Sequence, residues 1–262
     1  MIVIPSHSTR YRILTTMSPY LNDGATSNGA GTDSVTHEAY LKAPDFESFD
    51  DPPLVLVIGA GSRGTAYAEA VLEGTNAIIA AVCEPILSKR EAFGRKFIWN
   101  KGSPAQPEQN FANWKEWVEY EEKRRSMEAR GVVVEKGIDA VFVCVLDEMH
   151  EEVVCGIAHL GVHICCEKPL STRLDSCVRM YKALNNAKEN VAAEGGKKKP
   201  IFGICHVLRY SPHNMLLRYL VRDKNIIGDI LSIEHVEPVG WWHFSHSYVR
   251  YVDPRPTSRS LD

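Results

Sequence analysis

The sequence contains the apolar run Leu54-Val55-Leu56-Val57-Ile58, followed at once by Gly59-Ala60-Gly61-Ser62-Arg63-Gly64. The five apolar residues predict a strand buried on both faces, as in a parallel sheet. The glycines have the spacing of a dinucleotide-binding turn: the first permits a tight turn, the second lets backbone approach a pyrophosphate, and the third lets a helix pack closely. The alternative is a turn that only connects a strand to a helix.

A helix is expected to begin at this turn, because residues 66–72 have helical character. Its N-terminal N–H groups and the positive end of its dipole would face a phosphate. Ser62 and Arg63 lie between the second and third glycines, so we count them with Gly59, Gly61 and Gly64 as candidate cofactor-binding residues.

Buried strands and helices alternate along the chain after this turn. Further strands are predicted over 77–83, 140–145, 162–166 and 201–205, with helices between them. This order predicts an α/β fold with a Rossmann-type, doubly wound parallel sheet. A charged run over 114–125 predicts an exposed helix with a solvated charged face.

Three regions are predicted from composition and strand type. Residues 1–50 are rich in small polar residues, and we expect a disordered N-terminal tail. Residues 51–206 would form an NAD(P)-binding Rossmann domain. Residues 230–236 alternate apolar and polar side chains like a half-exposed antiparallel strand, so 207–262 would begin an incomplete α+β domain.

Glu84 ends the second strand, twenty residues past Gly64. A Rossmann unit places there the acid that binds the adenosine ribose hydroxyls. A carboxylate would repel a 2′-phosphate, so NAD is favoured, although Lys89 and Arg90 leave NADP open. A solvated acid at a strand end is the alternative interpretation.

Bulk properties exclude several classes of protein. The 262 residues carry a net charge of −3, which gives no basic surface for nucleic acid. No apolar stretch reaches the roughly 18 residues of a membrane span. The seven cysteines are odd in number and lack a CxxC pair, which favours reduced thiols and a cytoplasmic protein. His243 and His246 lack further metal ligands, so aromatic packing is favoured there and no metal site is predicted.

The glycine-rich turn, Glu84 and the strand end Glu167-Lys168-Pro169 together resemble the Gfo/Idh/MocA oxidoreductase family. The resemblance continues through 207–212 and 228–233 and covers roughly residues 52 to 250. It implies that the three glycines cradle the pyrophosphate and that Glu84 holds the adenosine ribose. It places Asp147, where the family usually has Asn, and His150 near the nicotinamide ribose.

The resemblance also assigns the chemistry. Glu167 and Lys168 would be cofactor-binding residues. Lys168 would lie where the nicotinamide meets a sugar, cyclitol or related polyol, and would also act as the catalytic cation. In the family's second domain, one helix carries an Asp and a His, and the His acts as general acid and base toward the substrate hydroxyl; no such motif is found here. We therefore expect a truncated member that binds dinucleotide and turns over poorly, with a homo-oligomer through the second-domain sheet left open.

Two other functions stay open at this point. One is a non-enzymatic NAD(P)-binding regulator, like the transcriptional repressors in the same family. The other is a methyltransferase, which also uses a glycine-rich turn and an acid after the second strand. The Glu167-Lys168-Pro169 strand end argues against the methyltransferase.

Overall fold

The structure is a computed structural model that describes residues 47–99, 103–193, 199–236 and 238–241. The predicted tail therefore lies almost wholly outside the described residues, as do His243 and His246. The end of the tail is already folded, because the backbone N–H of Glu47 donates to the carbonyl of Gly74 at 2.9 Å. The N–H of Phe49 likewise donates to the side chain of Asn76 at 2.8 Å. The folded part thus includes residue 47, before the predicted boundary at 50.

Six parallel strands form one sheet within the described ranges: β1 (Leu54–Ile58), β2 (Ile78–Cys83), β3 (Asn110–Phe111), β4 (Ala140–Val143), β5 (His163–Cys166) and β6 (Phe202–Ile204). The helices between and after them are α1 (Ser62–Gly74), α2 (Leu87–Phe97), α3 (Trp114–Ala129), α4 (His150–Ala158), α5 (Leu174–Ala193) and α6 (Pro212–Arg218). Single 3₁₀ turns lie at Pro107–Gln109, Asp147–Met149 and Val207–Tyr210, and a π-helical turn lies at Tyr219–Asp223.

The strands are ordered β3-β2-β1-β4-β5-β6 across the sheet. β1 is central because its residues are apolar on both faces, and successive side chains point to opposite sides. Leu56 and Ile58 belong to one buried cluster, with residues of α3, α4 and α5. Val55 and Val57 belong to the other, with residues of α1 and α2. Helices thus cover both faces, which confirms the doubly wound parallel sheet predicted from the sequence.

The predicted strand over 230–236 is wrong: the described residues there form no strand. A strand needs a neighbour to take its backbone hydrogen bonds, and no described segment pairs with this one. The alternation of apolar and polar side chains over 230–236 has the period of a strand, but it does not show whether a partner strand is present. β3 was not predicted, because two residues are too few to show a pattern.

The chain divides between Leu216 and Leu217 into two units, and the sheet lies in the first. The described part of the second begins in α6 and continues through the π-helical turn. No described helix is both long and apolar enough to cross a membrane.

Candidate functional site

The turn between β1 and α1 can form only with glycine at two of its positions. Gly59 has a φ of 99°, which favours glycine, and a Cβ there would lie 2.5 Å from the carbonyl oxygen of Cys144. A Cβ on Gly64 would overlap the carbonyl of Gly59 and approach Val57 Cγ1 to 2.9 Å. The helix therefore packs directly against the turn and the strand before it.

Gly61 differs from its two neighbours in the motif. A Cβ built there would have no atom of the described residues within 4 Å, so packing against this part of the chain does not require glycine. The space beside Gly61 is open to a ligand that approaches the backbone. This is the role that the motif predicts for its second glycine.

The N-terminus of α1 has no side-chain cap among the residues that the structure describes, so its first N–H groups are available to an anion. Gly61 is the N-cap and has no side chain to accept from them, and the first turn holds no acid. Ser62 and Arg63 are exposed on that turn. Burial raises the pKa of the Cys144 thiol well above its ordinary value, and the nearby positive charge of Arg63 opposes this rise. Arg63 therefore lies near the end of β4 as well as near the turn.

Glu84 is buried at the end of β2 and holds the glycine-rich turn. One carboxylate oxygen accepts from the backbone N–H of Ala60 at 2.9 Å. The other accepts from the N–H of Ile86 at 3.0 Å, at the start of α2. The alternative of a solvated acid does not hold, because this carboxylate is out of water and fixed beside the turn.

The two cations that leave NADP open are placed differently. Arg90 donates from Nε to Asn110 Oδ1 at 2.7 Å and from a terminal nitrogen to the carbonyl of Glu84. Lys89 is exposed. It lines a cleft of about 180 Å³ with residues of α1 and α2 and of the turn: Ala60, Thr65, Ala92, Phe93, Lys96 and Phe97. Lys89 thus remains available beside the turn, whereas Arg90 is engaged.

Asp147 and His150 follow β4 and differ in exposure. Asp147 is half-buried. His150 is 0% exposed, with Nδ1 2.8 Å from the carbonyl oxygen of Pro169 and Nε2 3.3 Å from that of Val145. A carbonyl only accepts, so the shorter contact favours the tautomer with the proton on Nδ1. His150 therefore ties the end of β4 to the loop after β5.

Glu167, Lys168 and Pro169 form the loop after β5, and the peptide bond between Lys168 and Pro169 is cis. Glu167 is buried, and one of its oxygens accepts from the Lys168 backbone N–H at 2.9 Å. Its other oxygen accepts from the hydroxyl of Tyr67 on α1. The side chain of Lys168 is exposed and has no ion-pair partner among the described residues.

The sheet register brings these residues to one edge. Ile58 pairs with Cys83 of β2 and with Val143 of β4, and Val143 pairs with Cys166 of β5. The next residue of each parallel strand is therefore at the same carboxyl edge, which is where open α/β sheets bind their ligands. Glu84 lies on one side of the glycine-rich turn, and the Lys168 loop lies on the other.

Thiols also gather near this edge. The Sγ atoms of Cys165 and Cys205 lie 3.2 Å apart, and both cysteines are free. Cys166 points to the opposite face of the sheet, as alternation along a strand requires. Burial is the main cause that raises the pKa of Cys166 to about 12. Within the described ranges no three His, Cys, Asp or Glu side chains are grouped to hold a metal ion.

Tyr67 is the site residue that sequence reasoning missed. It lies within the helical pattern of residues 66–72, yet its hydroxyl meets Glu167, which is 100 residues away. The signal was a hydroxyl-bearing aromatic on an otherwise apolar helix face, since a buried tyrosine usually finds a hydrogen-bond partner.

A family model matches this chain over residues 54–194, and the family is described as an oxidoreductase family with an NAD-binding Rossmann fold. Two curated proteins align with part of the chain. Inositol 2-dehydrogenase 2 of Saccharopolyspora erythraea is 28% identical over 106 residues, which are 40% of this chain and 28% of that protein. The 2,7-anhydro-N-acetylneuraminate hydratase of Escherichia coli is 29% identical over 110 residues, 42% of this chain and 26% of that protein. The alignments thus span little more than a quarter of either relative's length.

Two solved structures share the fold. The scyllo-inositol dehydrogenase of Lactobacillus casei, in its apo form, has a TM-score of 0.51 at 15% identity. The match covers 69% of this chain and 44% of the chain in that structure. The myo-inositol 2-dehydrogenase of Lactobacillus plantarum has a TM-score of 0.50 at 19% identity, covering 69% and 43%. At these identities the likeness is one of fold.

Proposed function

Because the chain belongs to the Gfo/Idh/MocA oxidoreductase family, we propose that it binds a nicotinamide dinucleotide across the carboxyl edge of its sheet. The observation that carries the proposal is the open space at Gly61 between two glycines that are packed tightly. The bound cofactor would supply a hydride acceptor or donor. The substrate would be a sugar, a cyclitol or a related hydroxyl or carbonyl compound.

The residues at the turn fit a pyrophosphate. Backbone N–H groups at the start of α1 have neither a capping side chain nor an acid in the first turn to satisfy them. Such groups and the helix dipole favour a phosphate. Arg63 adds an exposed positive charge, and Gly61 lets the phosphate reach the backbone.

NAD is preferred to NADP in this proposal. Each oxygen of the Glu84 carboxylate accepts one backbone hydrogen bond, which leaves lone pairs for ribose hydroxyls. Its negative charge would oppose a 2′-phosphate. Arg90 is engaged by Asn110 and by the Glu84 carbonyl, so it is not free to offset that charge.

Calorimetric titration with NAD⁺ and NADP⁺ tests the cofactor preference. We expect NAD⁺ to bind at least about tenfold more tightly, which corresponds to about 1.4 kcal/mol. Glu84→Gln keeps the side-chain length, removes the charge and replaces one of the two acceptor oxygens by an NH2 donor. It should therefore reduce the preference, whereas Glu73→Gln at an exposed position should not. Tighter binding of NADP⁺ to the wild-type chain would contradict this proposal.

Lys168 is proposed as the catalytic cation. Its amide is fixed by Glu167 while its side chain stays exposed at the sheet edge. An ammonium group there can orient a substrate hydroxyl and stabilise negative charge that develops on its oxygen. The substrate class follows the two curated relatives, which are named as an inositol 2-dehydrogenase and a 2,7-anhydro-N-acetylneuraminate hydratase.

Assays of NADH formation with inositols and sugars test the reaction. We expect NADH formation that depends on the side chain of Lys168. Lys168→Met should lower the rate at least about tenfold and leave the dissociation constant of ADP-ribose, which lacks the nicotinamide ring, within about twofold. Lys199→Met, an exposed cation outside this loop, is the matched control. Equal rates in Lys168→Met and the wild-type chain would remove Lys168 from the mechanism.

A reducing compartment such as the cytoplasm is part of the proposal. All seven cysteines are free thiols. Disulfides are rare where glutathione and thioredoxin keep thiols reduced. Thiol counting on protein purified from its native cells, without reductant, would give seven if this is right.

A further inference from the structure

Tyr67 joins the phosphate-binding helix to the core of the sheet. It lies on α1, one turn past Gly64, and is 2% exposed. Its ring packs against Phe142 of β4 with ring centroids 5.3 Å apart. Its hydroxyl is thereby aimed at the loop after β5, where it donates to the carboxylate of Glu167.

Glu167 connects Tyr67 to Lys168 through hydrogen bonds to its carboxylate. Glu167 is 7% exposed, and its own backbone N–H is held by the carbonyl of Val143 at 2.9 Å. The carboxylate receives the Tyr67 hydroxyl on one oxygen and the Lys168 backbone N–H on the other, at 2.9 Å. A hydrogen bond to a charged group is stronger than a neutral one, so both donors are firmly placed.

A second tether acts on the other side of the same loop. His150, at the start of α4, lies 2.8 Å from the carbonyl oxygen of Pro169. The loop is thus fixed before and after Lys168, by α1 through Glu167 and by α4 through His150. Of these two helices, α1 also carries the turn at which the pyrophosphate is proposed to bind.

We infer that Tyr67 is a positioning residue, whose hydrogen bond to Glu167 couples the phosphate-binding helix to the place of Lys168. The inference rests on the proposed dinucleotide site and extends it. If Tyr67 only filled the core, loss of its hydroxyl would change the affinity for every ligand of the site to the same extent. A positioning tyrosine affects the nicotinamide end of the site and leaves the adenosine end unchanged.

Tyr67→Phe separates these roles, because it keeps the ring against Phe142 and removes only the hydroxyl. Calorimetric titration compares NADH with ADP-ribose, which lacks the nicotinamide ring. We expect the dissociation constant of NADH to rise about fivefold and that of ADP-ribose to change less than about twofold. Tyr181→Phe, at a tyrosine that is 65% exposed on α5, makes the same chemical change and should alter neither.

The outcomes of this titration are distinct. If the folded wild-type chain binds neither compound, the proposed function fails. If it binds both and Tyr67→Phe weakens both equally, or neither, the inference about Tyr67 is overturned while the site stands.

Hydrogen exchange tests the inference without any ligand. The amide of Lys168 donates directly to Glu167, so peptides over residues 167–171 report the tether. We expect exchange there to be at least about fivefold faster in Tyr67→Phe than in the wild-type chain or Tyr181→Phe, with peptides of β1 unchanged. Unchanged exchange over 167–171 would overturn the coupling even if NADH binding were altered.

Discussion

Gly61 and Gly64 lie three residues apart in one turn, and a side chain would meet different surroundings at each. At Gly64 a methyl group would overlap the carbonyl oxygen of Gly59 and crowd Val57. At Gly61 it would meet no atom of the described part of the chain within 4 Å. Packing therefore requires glycine at position 64, whereas Gly61 is available for a ligand.

Gly64→Ala should destabilise the fold by about 1–3 kcal/mol, because backbone atoms rather than a flexible side chain are in the way. Urea unfolding followed by circular dichroism measures this change. Gly61→Ala is the matched control and should unfold within about 0.5 kcal/mol of the wild-type chain. A Gly64→Ala midpoint equal to that of the wild-type chain would show that α1 does not pack against the turn in this way.

At this scale the sequence predicts residue types better than their contacts. The spacing of the glycines identified the turn, and the position of Glu84 identified an acid at the end of β2. The sequence could not show that Glu84 accepts from Ala60 or that Tyr67 meets Glu167. Those contacts join distant parts of the chain and exist only once the strand order is fixed.

α3 shows the limit of a charge pattern at the scale of an element. The charged run predicted a solvated face, and most of its charges are exposed. Glu121, however, is buried and accepts from both Arg124 and Arg125. Arg124 in turn donates to the carbonyl of Glu135, so this cluster fixes the loop that leads to β4. The helical period alone did not reveal which acid turns inward.

Glu121 should make stability depend on pH. Burial raises the pKa of Glu121, but the hydrogen bonds and charges of Arg124 and Arg125 outweigh burial, so the net pKa lies below its ordinary value of 4.5. Its contribution is therefore complete above pH 4.5 and is lost as pH falls through the lowered pKa.

Glu121→Gln tests this linkage in urea unfolding over a series of pH values. We expect a loss of about 2 kcal/mol at neutral pH and a weaker decline of stability in acid than the wild-type chain shows. Glu128→Gln removes a partner of the same Arg124 at an exposed position and should behave like the wild-type chain. Parallel acid profiles for Glu121→Gln and the wild-type chain would contradict the role given to Glu121.

Five of the six strands were predicted, because buried parallel strands are continuous apolar runs with sharp ends. β3 was not predicted, because its two residues are too few to show a pattern. The strand expected over 230–236 failed for another reason. The alternation of apolar and polar residues determines which side chains share a face of a strand. It does not identify the neighbouring strand with which the backbone would form hydrogen bonds.

At the scale of the whole molecule, strand order turns scattered residues into one site. In the order β3-β2-β1-β4-β5-β6, successive strands are added in one direction from β1 to β3 and in the opposite direction from β4 to β6. The strand order therefore reverses between β1 and β4. A crevice at such a switch point is where open α/β sheets bind ligands. Sequence alone predicted parallel strands, and the family resemblance supplied the expectation that their ends form a shared cofactor site.

Limited proteolysis should separate the sheet from residues 229–236. This segment has no secondary structure in the described part of the chain, and Leu231 is 96% exposed. Chymotrypsin, which cuts after large apolar residues, should cleave within 229–236 before it cleaves within the sheet unit up to residue 216. Mass spectrometry of the fragments measures the order, and a first cut between β1 and β6 would contradict it.

Titration of the wild-type chain and of Gly61→Ala with NADH tests whether the β1–α1 turn binds a nicotinamide dinucleotide. We predict saturable binding of one NADH per wild-type chain and at least about tenfold weaker binding by Gly61→Ala, since its methyl group occupies the open space beside the turn. Equal affinities in the two folded proteins, or no binding by the wild-type chain, would contradict the claim.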